Sequence, residues 1–324
     1  MKKLIKLLFL SSILGMGVTG CGGGKQIGIL QPLEHDALSA AREGFMEVVK
    51  EAGLGYKFKY VNANKDEATM NSSAKTLVST CALTLGIGTG ASQALQAAAI
   101  NSGSTKPILF TAVTDPVDAK LVESNEKPGG FITGASDMNP VKEQVDMIKD
   151  LNPSITKVGI FYTQTETNSE VQANQAKAAL TAAGLTPVVK TCSGEGDLKN
   201  NIETLCAELE NQALYIPTDN VCAANMPTIK AAVEAKHVLT VCGEDNMMAN
   251  GGHFTLTVSY KELGRRTGEM AVEILKNGKS PADLPVVSMT AKECEYKMCK
   301  ANITSAGLTI DESKLAKFTD VPAA

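Results

Sequence analysis

Short runs of apolar and β-branched residues alternate along the chain with longer stretches in which apolar residues recur at helical spacing. A repeated order of strand then helix is typical of parallel sheets covered on both faces. The first series has strands at QIGIL, KFKYVNA, LTLGIGTG and KPILFTAV, with helices at 38–53, 66–79 and 91–100. This pattern predicts a first α/β lobe.

A second series of the same kind begins after GASDMNP, with a helix at 140–151. The strands KVGIFY, TPVVKT, ALYIPTD and HVLTVCGED then alternate with helices at 169–184, 200–209 and 226–235. One further unit, HFTLTVSY followed by ELGRRTGEMAVEILKNG, exceeds what the second lobe needs. We therefore predict two Rossmann-like lobes, 26–135 plus 253–288 and 136–252 plus 289–320, joined by crossings near 135, 253 and 289 that form a hinge.

The first 20 residues read as a secretion signal, because Lys2, Lys3 and Lys6 flank an apolar run that is shorter than the roughly 20 residues of a membrane span. The sequence VTGC that follows resembles the bacterial lipobox, in which the cysteine becomes the lipidated first residue of the mature protein. We expect Cys21 to carry the lipid and 21–25 to be a flexible tether. The protein would then be anchored to the bacterial cell membrane, facing the periplasm or the exterior. The alternative is an ordinary secretory signal with an incidental cysteine.

Length and net charge bear on the number of domains and on the expected partners of the protein. Without the three leader lysines, 28 basic residues stand against 35 acidic ones, a net charge near −7, so nucleic acid is not an expected partner. A mature chain of about 300 residues exceeds one ordinary hydrophobic core and favours two domains.

Eight cysteines are present, and with Cys21 lipidated the other seven cannot all pair with one another. We expect Cys81, Cys222 and Cys242 to be buried thiols, since each lies in or beside an apolar strand. The pair to test first for a disulfide is Cys192 with Cys206. The cysteine spacings do not suggest a metal site.

Five stretches resemble the ABC transporter substrate-binding family that includes tryptophan- and aromatic-amino-acid-binding lipoproteins. They are IGILQPLEHDALSAAREGF, FTAVTDPVDAKLV, EKPGGFITGASDMNPVKEQ, ALYIPTDN and ELGRRTGEMAVEILKNGKSPADLPV, in the family's order over nearly all of the mature chain. The resemblance implies a type I periplasmic-binding-protein fold with three hinge crossovers and a ligand held in the cleft. It also implies a permease and an ATPase as partners, and an amino acid, an aromatic one favoured, as the ligand. We expect a monomer without a cofactor.

An amino-acid ligand needs hydrogen-bond donors for its carboxylate and an anion for its ammonium group. The sequence GTGAS opens a helix and offers Thr89 and Ser92 beside free helical N–H groups, although Ser92 could simply cap the helix. Asp219 and Asp245 end consecutive second-lobe strands, so one of them is predicted to pair with the ammonium group. The alternative for each is a turn or N-cap aspartate.

Further ligand contacts are predicted at the carboxyl ends of other strands, where open parallel sheets bind ligands. The residues are Glu34, His35, Thr114, Asp115, Tyr162, Asn168 and Ser169. Tyr162 could instead belong to the core. A pocket for the ligand side chain could come from Leu33, Phe110 or Met247.

Catalysis is not predicted. GxSxG and HExxH motifs are absent, and the GIGTG turn lacks the acidic residue of a dinucleotide site. Two other functions remain open: a lipoprotein that presents a small molecule to a membrane receptor, and an importer subunit for a nucleoside or sugar.

Overall fold

The computed structural model describes residues 25–324, so the predicted leader, Cys21 and all of the tether except Lys25 lie outside the described residues. Thirteen strands are present in this range: β1 (Gln26–Gln31), β2 (Lys57–Asn62), β3 (Leu83–Ile87), β4 (Ile108–Val113), β5 (Ile132–Ser136), β6 (Lys157–Thr163), β7 (Thr186–Cys192), β8 (Ala213–Ile216), β9 (Leu239–Cys242), β10 (Phe254–Thr257), β11 (Val287–Ser288), β12 (Glu295–Met298) and β13 (Thr319–Asp320).

Eleven α-helices connect these strands within the same range: α1 (Asp36–Glu51), α2 (Glu67–Thr80), α3 (Thr89–Ser102), α4 (Val141–Leu151), α5 (Thr167–Ala182), α6 (Glu195–Glu208), α7 (Asn220–Ala224), α8 (Met226–Glu234), α9 (Asn246–Ala249), α10 (Tyr260–Asn277) and α11 (Lys300–Ser305). None of these helices is both long enough and apolar enough to cross a bilayer.

The strands form two sheets, one in each lobe. The first has the order β11-β5-β4-β3-β1-β2 and is parallel throughout. The second has the order β13-β12-β10-β9-β8-β6-β7 and is parallel except for the β10–β12 pair. Every residue of β3, β4 and β5 is buried, because helices cover both faces of the sheet.

The core consists of four apolar layers, two on each sheet. In the first lobe one layer contains Phe45 and Leu85, and the other contains Leu77 and Phe110. In the second lobe, layers built around Ile160 and around Phe161 cover opposite faces of the sheet, because neighbouring residues of a strand point to opposite sides.

Helices α1 and α10 cross at a contact made by glycines. A Cβ atom added to Gly264 would lie 1.9 Å from the carbonyl oxygen of Ala41, and one added to Gly44 would lie 2.2 Å from that of Lys261. A side chain at either position would therefore push the helices apart. This contact fixes α10, which the sequence pattern predicted, onto the first lobe.

Three segments pass between the lobes in the described range: 137–140 after β5, 258–259 after β10, and 289–294 after β11. The second crossing differs from the predicted one near 253, because β10 pairs with β9 and β12 in the second sheet. The apolar alternation of HFTLTVSY suits a strand of either sheet, so the pattern alone did not assign it. The strand β5, in FITGAS, was not among the predicted strands.

Buried acidic side chains lie at the first two crossings. Asp137 is 1% exposed and accepts hydrogen bonds from Thr114 Oγ1 at 3.1 Å and from the Tyr260 hydroxyl at 2.8 Å. Glu244 is also 1% exposed and contacts the Tyr260 hydroxyl, while its Oε1 has no hydrogen-bond partner within residues 25–324. Burial raises the pKa of both carboxyl groups.

Candidate functional site

A cavity of about 400 Å³ lies between the two lobes, at the carboxyl ends of their parallel strands. This volume falls within the range of small-molecule sites. We call it the interlobe cavity, and its lining comes from both lobes: Pro32, Leu33, Ala63, Lys65, Asp66, Glu67, Met70, Thr89, Gly90 and Gln93 from the first, and Thr165, Glu166, Thr167, Asn168, Asn220 and Val221 from the second.

Among the acidic residues of this lining, Glu166 has a carboxylate that several hydrogen bonds hold in place. Glu166 lies in the turn between β6 and α5, where its Oε2 accepts hydrogen bonds from the backbone N–H of Asn220 at 3.0 Å and from the Asn220 side chain at 2.7 Å. Its Oε1 accepts one from the backbone N–H of Val221 at 3.1 Å. The first turn of α7 therefore holds this carboxylate at the cavity.

Burial is the largest influence on the pKa of Glu166 and raises it, and the negative charge of Asp219 raises it further. Hydrogen bonds from Asn220 and Asn168 lower it in part. A carboxylate in such a position gains from a nearby cation, which offsets the cost of burying the charge. The site is thus suited to a ligand group that carries a positive charge.

The facing wall is the N-terminus of α3, where Thr89 and Gly90 line the cavity. The preceding residue, Gly88, has a φ of 83° and supplies no side-chain cap to the helix. Uncapped N–H groups at a helix N-terminus attract a carboxylate. The interlobe cavity thus has an acidic group on one side and anion-binding backbone on the other.

The two lobes are in contact around the cavity. The imidazole Nε2 of His35 lies 3.2 Å from Asn220 Oδ1, and Lys65 forms an ion pair with Glu195 of the second lobe. Each contact joins a residue of the first lobe to a residue of the second, so it would break if the lobes separated. The structure therefore shows the lobes closed.

Three of the predicted site residues lie at the cavity or directly at the lobe contact: Thr89, Asn168 and His35. Two others lie just beneath the lining and are fully buried. Ser92 Oγ donates to the Gly88 carbonyl at 2.8 Å, and Ser169 Oγ donates to the Thr218 carbonyl at 3.0 Å. These hydroxyls shape the turns and do not face the cavity.

The structure does not bring the two aspartates predicted for the ammonium group to the cavity lining. The Asp219 carboxylate accepts hydrogen bonds from Thr163 N at 2.6 Å, from Thr163 Oγ1 at 2.9 Å and from Cys222 N at 2.8 Å, as the N-cap of α7. Asp245 pairs with Lys297 at 2.8 Å and borders a separate groove. Each carboxylate is already engaged in the second lobe.

Four further predicted residues lie outside the cavity lining. Thr114 bonds to Asp137 at the hinge, and Asp115 accepts from the backbone of the turn that follows it. Tyr162 packs against a second-lobe core layer, as its alternative interpretation held. Glu34 is exposed; burial is the largest single influence on its pKa and raises it, but the hydrogen bonds from Ser39, Tyr60 and Arg42 together outweigh this and lower the pKa to about 2.

Of the side-chain pocket candidates, Leu33 lines the cavity, whereas Phe110 and Met247 are fully buried in core layers. Glu166 and Asn220 were not predicted from the sequence. Both stand in turns that had already been selected, TQTETNS and PTDN, one or two residues from the residue named. Which side chain of a short polar turn faces the cleft depends on backbone angles that the sequence pattern does not define.

No group of three or more His, Cys, Asp or Glu side chains between residues 25 and 324 has a geometry that could hold a metal ion. The seven cysteines in that range are free thiols, and six of them are buried.

The family model described as "ABC transporter substrate binding protein" matches residues 26–321. The chain belongs to this family. Its members bind solutes outside the cytoplasm and are not enzymes. The resemblance that the sequence predicted is confirmed.

Relatives of this substrate-binding protein include the "Tyrosine-binding protein" of Clostridioides difficile strain R20291, which is 31% identical over 315 residues, covering 90% of this chain and 89% of the relative. Among solved structures, an ABC domain in complex with L-Trp from Streptococcus pneumonia is 30% identical, with 91% of this chain and 98% of that chain covered and a TM-score of 0.84. The predicted type I periplasmic-binding-protein fold with two lobes is confirmed.

A ligand-free, open substrate binding protein from Clostridium difficile is also 30% identical, with 93% of this chain and 100% of that chain covered, but its TM-score is 0.70. This substrate-binding protein thus superposes better on the L-Trp complex than on the open form, and its own lobes are in contact through His35 and Asn220 and through Lys65 and Glu195.

Proposed function

We propose that this substrate-binding protein captures an amino acid, an aromatic one favoured, in the interlobe cavity and delivers it to the permease of an ABC importer. The observation that carries the proposal is the pairing of a partly buried carboxylate, Glu166, with the uncapped N-terminus of α3 across one cavity of about 400 Å³. A free amino acid presents the two complementary charges.

The Glu166 carboxylate would accept the ligand ammonium group, and the backbone N–H groups near Thr89 and Gly90 would donate to the ligand carboxylate. Both contacts require the lobes to be closed, since they come from opposite sides of the cavity. Closure would therefore be coupled to recognition of the zwitterion, which both lobes contact.

The apolar part of the lining supports a ligand with a sizeable apolar side chain. Leu33 and Met70 come from the first lobe and Val221 from the second. The relatives named for tyrosine and crystallised with L-Trp support an aromatic side chain in this space.

In the cell, we propose that Cys21 carries a lipid that holds the protein at the outer surface of the membrane, beside the permease and ATPase. This part of the proposal is supported by the VTGC sequence and by the extracytoplasmic family. Mass spectrometry of the mature N-terminus tests it, because a diacylglyceryl group on Cys21 is expected after cleavage.

A thermal-shift screen with the twenty amino acids, nucleosides and sugars tests the ligand class. A ligand that binds only the folded protein raises its Tm by mass action. We expect L-Tyr or L-Trp to give the largest increase. A larger increase in Tm with a nucleoside or a sugar would show that the cavity binds that compound and not an amino acid. The protein would then serve an importer for that compound or present it to a membrane receptor.

A further inference from the structure

Two thiols lie against each other beneath the wall of the interlobe cavity. Cys192 is the last residue of β7 and is 1% exposed, and Cys222 lies in α7 and is 0% exposed. The two thiols belong to the same buried core layer and are close enough to influence each other directly. The five other cysteines of the described range stand in no such contact with Cys192.

The surroundings hold both residues in place. The Cys192 sulfur lies 3.5 Å from Thr163 Oγ1, and that hydroxyl donates to the Asp219 carboxylate, which also accepts from the backbone N–H of Cys222. The end of β7 and the first turn of α7 are thus linked through a buried network, and their thiols meet inside it.

The location of the family outside the cytoplasm favours oxidation of thiols. The family acts outside the cytoplasm, where disulfides form and persist, and a buried pair of thiols in contact is the arrangement from which an intramolecular disulfide arises. Contact with the Cys222 thiol lowers the pKa of Cys192, against an opposing effect of burial, while burial raises the pKa of Cys222. Where the two thiols already meet in the folding chain, Cys192 is therefore the more readily deprotonated of the two.

We propose that Cys192 and Cys222 form a disulfide in the exported protein, with a protein or small-molecule disulfide as the oxidant. The Cys192 thiolate attacks the oxidant disulfide and releases one thiol, which leaves a mixed disulfide on Cys192. Cys222 then attacks the Cys192 sulfur and releases the second thiol. Two electrons pass to the oxidant, and the two cysteine protons end on the released thiols.

Because both sulfurs are buried in the folded protein, burial determines at which stage the disulfide can form. In the folded protein the oxidant has no access to them, so the bond forms while the exported chain folds. The cross-link then ties α7 to β7. Since the backbone N–H groups of Asn220 and Val221 on α7 hold Glu166, the disulfide stiffens that wall of the cavity.

The test is peptide mapping of the full-length protein, exported by its own leader, denatured in a thiol-alkylating reagent and digested without reductant. We expect one cross-linked peptide pair containing Cys192 and Cys222, with Cys81, Cys206, Cys242, Cys294 and Cys299 alkylated. Alkylation of all seven cysteines, also after refolding with oxidised glutathione, would overturn the proposal, as would a cross-link between Cys192 and Cys206.

Two matched variants complete the test. Cys222→Ser should make Cys192 alkylatable, whereas Cys206→Ser, in the same core layer, should leave the cross-link intact. Reduction in denaturant, followed by refolding with reductant present, should lower the Tm of the wild type by about 5 °C, as expected for a disulfide that closes a loop of this size, and should leave a Cys192→Ser, Cys222→Ser double variant unchanged. An equal response of the wild type and the double variant would contradict the cross-link.

Discussion

Asn220 donates two hydrogen bonds to one oxygen of Glu166, from its backbone N–H at 3.0 Å and from its side chain at 2.7 Å. The side-chain oxygen of the same asparagine faces the His35 imidazole of the first lobe at 3.2 Å. A single residue therefore connects the carboxylate proposed to bind the ligand with the contact that closes the lobes. Closure and ligand recognition share one hydrogen-bonded chain.

His35→Ala removes the first-lobe end of this chain without changing the cavity lining. We expect the dissociation rate of the ligand to rise several-fold, in line with the loss of one hydrogen bond of about 0.5 to 1.5 kcal/mol. Stopped-flow fluorescence of ligand release measures it. An unchanged dissociation rate, in a variant whose ligand-free Tm equals that of the wild type, would show that this contact does not contribute to closure.

Asp219→Asn separates a structural role from a ligand-binding one. The carboxylate accepts three hydrogen bonds from Thr163 and Cys222, and an amide would direct an NH₂ group at one of these donors. We expect the free energy of unfolding to fall by about 1 to 3 kcal/mol, measured by urea denaturation. The exposed Asp118→Asn is the control. If the variant bound the ligand more weakly while its free energy of unfolding stayed the same, Asp219 would be a ligand contact, as predicted from the sequence.

Glu244→Gln tests the buried acid at the hinge. The pKa of Glu244 is raised by burial and by the charges of Asp245 and Asp137, so the folded protein holds this proton more tightly than the unfolded chain does. Stability from this group is fully present below its ordinary pKa of 4.5 and is lost as the pH rises through the raised value.

The variant keeps a neutral side chain at every pH, so its Tm should exceed that of the wild type by an amount that grows between about pH 5 and pH 8. Differential scanning calorimetry across this range measures the difference, with the exposed Glu170→Gln as the control. A constant difference across the range would mean that folding does not raise the pKa of Glu244.

Gly264→Ala tests the contact between α1 and α10. Alanine normally favours a helix over glycine by about 1 kcal/mol, but here its Cβ would overlap the carbonyl oxygen of Ala41. We expect a loss of about 1 to 3 kcal/mol in the free energy of unfolding. Glu269→Ala, on the exposed face of the same helix, should be nearly neutral. A gain in stability for Gly264→Ala would show that the helices do not touch at this point.

Much of the fold could be predicted from the sequence, because strands with two covered faces read as apolar runs and the intervening helices keep one apolar face. The helix predicted at 140–151 is α4, and the one at 226–235 is α8. The assignment of β10 to the first lobe was wrong, since the apolar residues between Phe254 and Thr257 suit a strand of either sheet and β10 lies inside the second one. Pairing with β9 and β12 decides it, and such pairing is a long-range property.

The site was predicted at the level of turns and not of side chains. Polar turns after parallel strands were expected to border the cleft, and Thr89 and Asn168 line the interlobe cavity. Asp219 was predicted as a partner for the ligand ammonium group, yet its carboxylate accepts three hydrogen bonds from Thr163 and Cys222 and caps α7. Glu166 looked like an ordinary turn residue, and only the fold of α7 over β6 turns it toward the cavity.

The most direct test of the ligand site compares amino acids with analogues that lack the amino group, such as L-Trp with indole-3-propionic acid and L-Tyr with 3-(4-hydroxyphenyl)propionic acid. By isothermal titration calorimetry, the wild type should bind the amino acid more tightly by about 2 to 5 kcal/mol, the cost of leaving one member of a buried charge pair alone. Glu166→Gln should lose most of this preference. Glu67→Gln, which alters another glutamate of the same cavity, should keep it. A Glu166→Gln variant that retained the full preference for the amino group would contradict the proposed site.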